Sequence, residues 1–174
     1  MPLRLHNHDL LADAYAVRLF CALIGVELDL VTVAMLPGEG GRDPAFRAIN
    51  PEATVPTLVD GDVVLTRSTA ILAHLALTRD SSGTWLPAEP AARALTLDWL
   101  AFAAGPLAAA EEARLASVFG RPSIFADPAA AARAAFRVLE GRLGRRRAGG
   151  HAFLAADHAT IADVAVFPAV ALVA

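Results

Sequence analysis

Residues 78–90, rich in Ser, Gly, Asp and Pro, divide the chain into two parts whose hydrophobic patterns require different architectures. Before this break, short strand patterns alternate with helical ones. Residues 3–6 read as a strand, and 14–24 as a helix with Val17, Phe20, Cys21 and Ile24 on one side, stopped by Gly25. The β-rich run 26–33 sets Leu28, Leu30 and Thr32 on one face and Asp29, Val31 and Val33 on the other. A loop spans 37–41, and Asp43-Pro44 opens a short helical turn with Asp43 as its cap. Residues 57–59 and 63–65 flank Asp60-Gly61-Asp62 as a hairpin, after which Ser68 caps a helix carrying Ile71, Leu72 and Leu75. The order βαβαββα predicts a mixed sheet, with its first two strands parallel through a right-handed crossover and its last two antiparallel.

After the break every pattern is helical. Residues 91–119 are interrupted at Gly105-Pro106, and Asp127-Pro128 opens a helix reaching about residue 143. Thr160 and Asp163 form a capping box for a last helix starting at Ile161. The expected organisation is an α/β domain over 1–78, a linker over 79–90, and an all-helical domain over 91–174, incomplete at its C-terminal end.

Composition narrows the function classes. The chain is 56 % hydrophobic with mean hydropathy +0.48. Much of that is Ala, and no run approaches the roughly 20 apolar residues that span a bilayer, so no membrane role is expected. The start of the chain carries no secretory pattern, and the single cysteine, Cys21, rules out an internal disulfide framework. Both point to the cytoplasm. A net charge of −3 gives no electrostatic case for nucleic acid, although all 15 basic residues are Arg.

Two stretches are more specific. The first is Asn50-Pro51-Glu52-Ala53-Thr54-Val55-Pro56-Thr57-Leu58-Val59-Asp60-Gly61, followed by Arg67-Ser68-Thr69-Ala70-Ile71-Leu72-Ala73-His74-Leu75. It resembles the glutathione-site segment of glutathione transferases. The second, Phe153-Leu154-Ala155-Ala156-Asp157-His158-Ala159-Thr160-Ile161-Ala162-Asp163, is similar to that family's motif in its helical domain. The resemblance implies a thioredoxin-like domain followed by a helical bundle, with glutathione as co-substrate and a small electrophile as its acceptor. It implies a homodimer and no metal. It also implies a cis Val55-Pro56 bond that turns the Val55 N–H and C=O toward the cysteinyl backbone of glutathione, as an added strand. Ser68 would offer its hydroxyl and amide to the γ-glutamyl carboxylate. Thr54, Val55, Pro56, Arg67, Ser68 and Arg42 are the glutathione-binding residues on this reading, Arg42 from the loop toward the glycyl carboxylate. The helical surface over 95–115 would form the apolar wall for the electrophile.

The chain also departs from that pattern. Members of this family lower the thiol pKa of glutathione with a Ser, Cys or Tyr near the start of the first helix. Here that place falls at Asp13 or Ala14, beside Ala12. An ionised Asp13 only accepts hydrogen bonds, and its charge opposes a thiolate; its alternative role is to cap the helix. Asn7, Asp13 and Tyr15 are therefore the candidate catalytic side chains. Arg67 stands where relatives carry an acid for the γ-glutamyl ammonium, so it repels that ammonium while suiting a carboxylate. The two functions in play are a glutathione-conjugating transferase and a noncatalytic binding or assembly module. His6 and His8, two apart on one strand face near Asp9, form the start of a metal site without a partner cluster. His74, His151 and His158 read as packing or surface residues, Cys21 as a buried thiol, and Arg145-Arg146-Arg147 as a solvated interhelix loop.

Overall fold

The computed structural model describes residues 3–34 and 43–172. The chain divides into two compact units, Met1–Arg79 and Asp80–Ala174.

In the first unit, β1 (Arg4–Asn7), β2 (Asp29–Thr32), β3 (Thr57–Asp60) and β4 (Val63–Leu65) form one sheet in the order β2-β1-β3-β4. β1 and β2 are parallel, with Leu5 opposite Leu30; β1 and β3 are antiparallel, with Leu5 opposite Leu58. The β3–β4 pair is the expected antiparallel hairpin around Gly61, whose φ of 60° suits glycine. The strand predicted over 26–33 shrinks to 29–32 for a specific reason. Helix α1 (Ala12–Leu23) ends in a Schellman motif: Gly25 at φ 68° donates to Ala22 O, and Val26 donates to Cys21 O at 2.8 Å. Val26 is thus committed to the helix end rather than to the sheet.

Strand alternation sorts the two faces. Leu5 and Asn7 point toward α1, since Asn7 bonds Arg18 of that helix. His6 points the other way, against Phe46 of the short helix α2 (Pro44–Ile49), whose N-cap Asp43 accepts from Ala45 N at 2.9 Å. On the α1 side also lies α3 (Ser68–Thr78), which packs on α1. Its Ile71, Leu72 and Leu75 are fully buried, as are Val17 and Phe20 of α1. Asp60 ties α3 to the end of β3. Arg79 Nη2 reaches both its oxygens at 2.7 and 2.9 Å, and His74 Nε2 lies 2.9 Å away. These contacts, His74 first, hold the Asp60 carboxyl below the usual carboxylate range.

Cys21 lies in this core at 1 % exposure, and burial pushes its thiol up to about 11. The native protein should therefore resist iodoacetamide at neutral pH and alkylate fully once denatured, as read by mass spectrometry. Native labelling within minutes would contradict the buried placement.

The second unit is helical: α4 (Pro90–Ala104), α5 (Ala108–Phe119), α6 (Pro128–Ala148) and α7 (Ile161–Ala171). Glu89 caps α4, accepting from Ala91 N and Ala92 N, and Pro90 occupies the first helical position. The break at Gly105-Pro106 separates α4 from α5, and the Thr160–Asp163 capping box opens α7 as the spacing predicts. The core joins Trp99, Leu107, Leu139, Leu154 and Val166 to Ala109, Ala110, Ala132, Ala135 and Ala162. Alanines at the contacts let α5 approach α6 closely, which accounts for an apolar composition low in large side chains.

Arg145-Arg146-Arg147 is not a loop. α6 runs past Gly144 to Ala148, so these residues form its last turn, where positive charge complements the helix dipole. Arg146 donates to Phe153 O at 2.8 Å and to Ala156 O, while Arg142 donates to Leu154 O at 3.0 and 2.7 Å. The carbonyls of the segment before α7 thus recruit α6 to continue. Among the described residues no helix is long and apolar enough to cross a membrane.

Candidate functional site

The segment before β3 is held from inside. Asn50, 1 % exposed, donates from Nδ2 to Thr54 O (2.9 Å), Thr54 Oγ1 (3.1 Å) and Thr57 Oγ1 (2.9 Å). Its Oδ1 accepts from Glu52 N at 3.1 Å, and Thr57 Oγ1 donates to Thr54 O at 2.7 Å. One buried amide therefore sets the path of residues 50–57. The Val55-Pro56 bond is cis. Pro56 is buried, Val55 half-buried, and among the described residues neither the N–H nor the C=O of Val55 enters a sheet or turn hydrogen bond. A strand-like pair of backbone groups is left open beside β3.

The start of α3 borders this segment through one ion pair. Arg67, the N-cap residue, reaches Glu52 with both nitrogens, Nη1 to Oε2 at 2.6 Å and Nη2 to Oε1 at 3.1 Å. Each side chain is more than half exposed, at 60 % and 53 %. Arg67 holds the Glu52 carboxyl below its usual range, and Glu52 raises Arg67. The charge read in isolation as repelling an ammonium is thus matched by an acid 15 positions earlier. Glu52 is the residue that sequence reasoning missed. Only its place in the segment before Val55 could have suggested it, because nothing in linear spacing ties 52 to 67.

Ser68 is not the cap of α3 but its first residue, and it is 8 % exposed. Its amide is one of the first-turn donors that a helix leaves without an internal acceptor. Its hydroxyl hydrogen-bonds the carboxylate of Asp13. Asp13 does not cap α1 either: Leu11 is the N-cap, with no side-chain bond, and Asp13 is the helix's second residue. An aspartate there meets the positive end of the helix without replacing a cap. Asp13 is exposed to solvent. Desolvation of the carboxyl by nearby protein pushes it above the usual range, against the lowering effect of Ser68.

The other candidates are engaged elsewhere. Asn7 is 1 % exposed; its Nδ2 donates to Asp9 at 3.0 Å and its Oδ1 accepts from Arg18 at 3.1 Å. Arg18 also pairs with the Asp9 carboxylate. This triad fixes the β1–α1 turn. Tyr15 lies under the guanidinium of Arg18, 5.8 Å from ring centroid to Cζ. Arg42 and the loop over 37–41 lie outside the described residues. Ala12 and Ala14 are buried and bring no donor.

His6 and His8 do not share a strand face, since β1 ends at Asn7 and His8 accepts from Leu10 N in the following turn. Among the described residues no group of three or more His, Cys, Asp or Glu is placed to hold a metal. Over 95–115 the apolar residues split: Leu107 and Leu115 turn into the core, while Leu95 and Leu97 are exposed. An open recess of about 390 Å³ lies beside α4, lined by Asp98, Trp99, Phe102, Pro106 and Val138.

Comparison with known proteins gives a consistent result. Residues 14–78 match the family model described as the N-terminal domain of glutathione S-transferase. Over 163 residues the chain is 32 % identical to glutathione S-transferase 2 of Anopheles gambiae, covering 92 % of this chain and 75 % of that protein. The solved delta-class glutathione transferase of Nilaparvata lugens superposes with a TM-score of 0.82 at 28 % identity, over 97 % of this chain and 77 % of that one. Ure2p in complex with glutathione shares the fold, with a TM-score of 0.86 at 24 % identity over 99 % and 84 % of the two chains.

Proposed function

This chain belongs to the glutathione S-transferase family, and on that premise we propose that it binds glutathione and transfers it to a small, largely apolar electrophile. The observation that carries the reading is the open backbone pair of Val55 at the cis Pro56 bond, in a segment that the Arg67–Glu52 ion pair ties to the start of α3, where Ser68 is the first residue. An extended peptide adds to Val55 as a strand through main-chain hydrogen bonds. The γ-glutamyl carboxylate then meets the α3 start at Ser68 and Arg67, and Glu52 takes the ammonium that Arg67 alone would repel. Thr54 and Pro56 shape the same edge, and Arg42 belongs to the proposed set from the sequence alone. In this reading residues 1–78 bind glutathione, 79–90 link, and 91–174 supply the wall for the electrophile. The protein works in the cytoplasm as a homodimer.

The chemistry is attack of the glutathione sulfur, as thiolate, on the electrophile. A second reading, a noncatalytic module, rests on Asp13, an acid where the family's activating hydroxyl or thiol belongs. Two measurements separate the readings. Calorimetric titration with reduced glutathione at neutral pH should show saturable one-site binding, and a generic aromatic electrophile should be conjugated faster than the solution background. Binding without conjugation would establish the module reading. No binding at millimolar glutathione would remove the Val55–Ser68 site altogether.

A further inference from the structure

His6, 6 % exposed on β1, has no hydrogen-bond partner at either ring nitrogen. Buried polar side chains are paired in the large majority of cases. The neighbours explain the exception. Thr57 stands opposite His6 on β3, but its hydroxyl already donates to Thr54 O and accepts from Asn50 Nδ2. On the α2 side lies the Phe46 ring, 4.9 Å away between centroids and at 31°. The imidazole is thus shut away from water beneath α2 without a partner. α2 is a light cover. It has six residues, of which only Phe46 is buried, and a helix that short is not stable by itself. A cavity of about 270 Å³ lies between it and the sheet, lined by Val31, Thr32 and Val33 on β2 and just beyond it and by Phe46 and Ile49 on α2. Local opening is therefore opposed less at α2 than at α1 or α3, each of which has several fully buried apolar side chains.

The charges around the ring set the direction of its titration. Arg4 acts on it from β1, Asp29 from β2 and Asp43 from the α2 cap. The other charge of α2, Arg47, is exposed, and β3 faces the ring with uncharged Thr57. Burial first, and then Arg4, lower the affinity of the covered ring for a proton, against Asp29 and Asp43. Once α2 lifts, the ring is an ordinary imidazole that titrates near pH 6.5. Below about that pH the open state binds more protons than the closed one, so closure weakens as pH falls. Above it the ring is neutral in both states and α2 stays shut.

We propose that His6 is an acid-triggered release for α2, in which a proton taken by the uncovered imidazole holds α2 off the sheet. Asn50 N donates to Phe46 O at 2.8 Å, so α2 also anchors the segment 50–57. Weaker glutathione binding in mild acid is a consequence that rests on the glutathione reading, and the test is therefore made on the free protein. Amide hydrogen exchange of the full chain is followed by NMR at about pH 7.5 and about pH 5, with protection corrected for the intrinsic rate at each pH. The Arg47 and Asn50 amides, which donate to Asp43 O and Phe46 O, should lose about threefold to thirtyfold in protection at the lower pH while the amides of α1 hold theirs. Thirtyfold is about the ceiling for an imidazole that titrates at its ordinary value in the open state. In His6→Leu the α2 amides should keep the same protection at both pH values. Unchanged α2 protection in the parent, or an equal loss in α1, overturns the proposal, as does a loss that persists in His6→Leu. Should His6→Leu not fold, the contrast between α2 and α1 in the unmodified chain decides alone.

Discussion

Glu52→Arg should lower glutathione affinity by about two orders of magnitude, and adding Arg67→Glu in the same chain should restore most of it. Two orders of magnitude correspond to about 2.7 kcal/mol. The native pair is bidentate, at 2.6 and 3.1 Å. Reversing Glu52 sets two guanidinium groups against each other and leaves no acid for an ammonium. The fold should tolerate the change, because both side chains are more than half exposed and solvent-screened pairs contribute little to stability. Calorimetric titration of the two single variants and the double variant forms a cycle whose coupling term is the readout. Glutathione binding that is unchanged in Glu52→Arg would show that the ammonium is read elsewhere. A double variant as weak as either single one would show that orientation, and not charge, matters at this pair.

Much of the fold follows from local signals in the sequence, because those signals act over a few residues. Gly25 stops α1, Asp43 caps α2, Gly105-Pro106 divides α4 from α5, and the Thr160–Asp163 box starts α7. Each depends on a backbone group needing a partner within about one turn. Where the reading failed, the deciding partner lay farther away. Arg145, Arg146 and Arg147 read as loop among glycines, yet carbonyls of residues 153–156 draw Arg142 and Arg146 into a continued helix. Asp13 read as a cap, whereas its carboxylate turns to Ser68, 55 positions along the chain. The Arg67–Glu52 pair and the unpaired His6 were invisible for the same reason. Motif spacing locates backbone features such as the Val55-Pro56 bond, but it says nothing about which charge stands opposite which.

That limit bears most on Asp13, where one substitution separates the two functions. Asp13→Ser should raise the rate of glutathione conjugation to an aromatic electrophile by about a hundredfold while leaving glutathione affinity within a few-fold. The substitution removes a carboxylate whose charge opposes a neighbouring thiolate and supplies an O–H donor in the first turn of α1. A single preorganised donor to a developing anion is worth about 10²–10³ in rate. Loss of a first-turn acid costs the helix only about 0.3–1 kcal/mol, so stability should stay close to that of the parent. The check is kcat/KM against pH: the limb reporting ionisation of the bound thiol should move to lower pH in the variant. A fall in rate would carry the opposite meaning. A carboxyl held above its usual range, as at Asp13, is also a better proton acceptor. A slower Asp13→Ser enzyme would identify Asp13 as the base that takes the thiol proton, with Ser68 orienting it. If parent and variant both bind glutathione and neither conjugates it, the start of α1 is not where activation was lost, and the chain acts through binding alone.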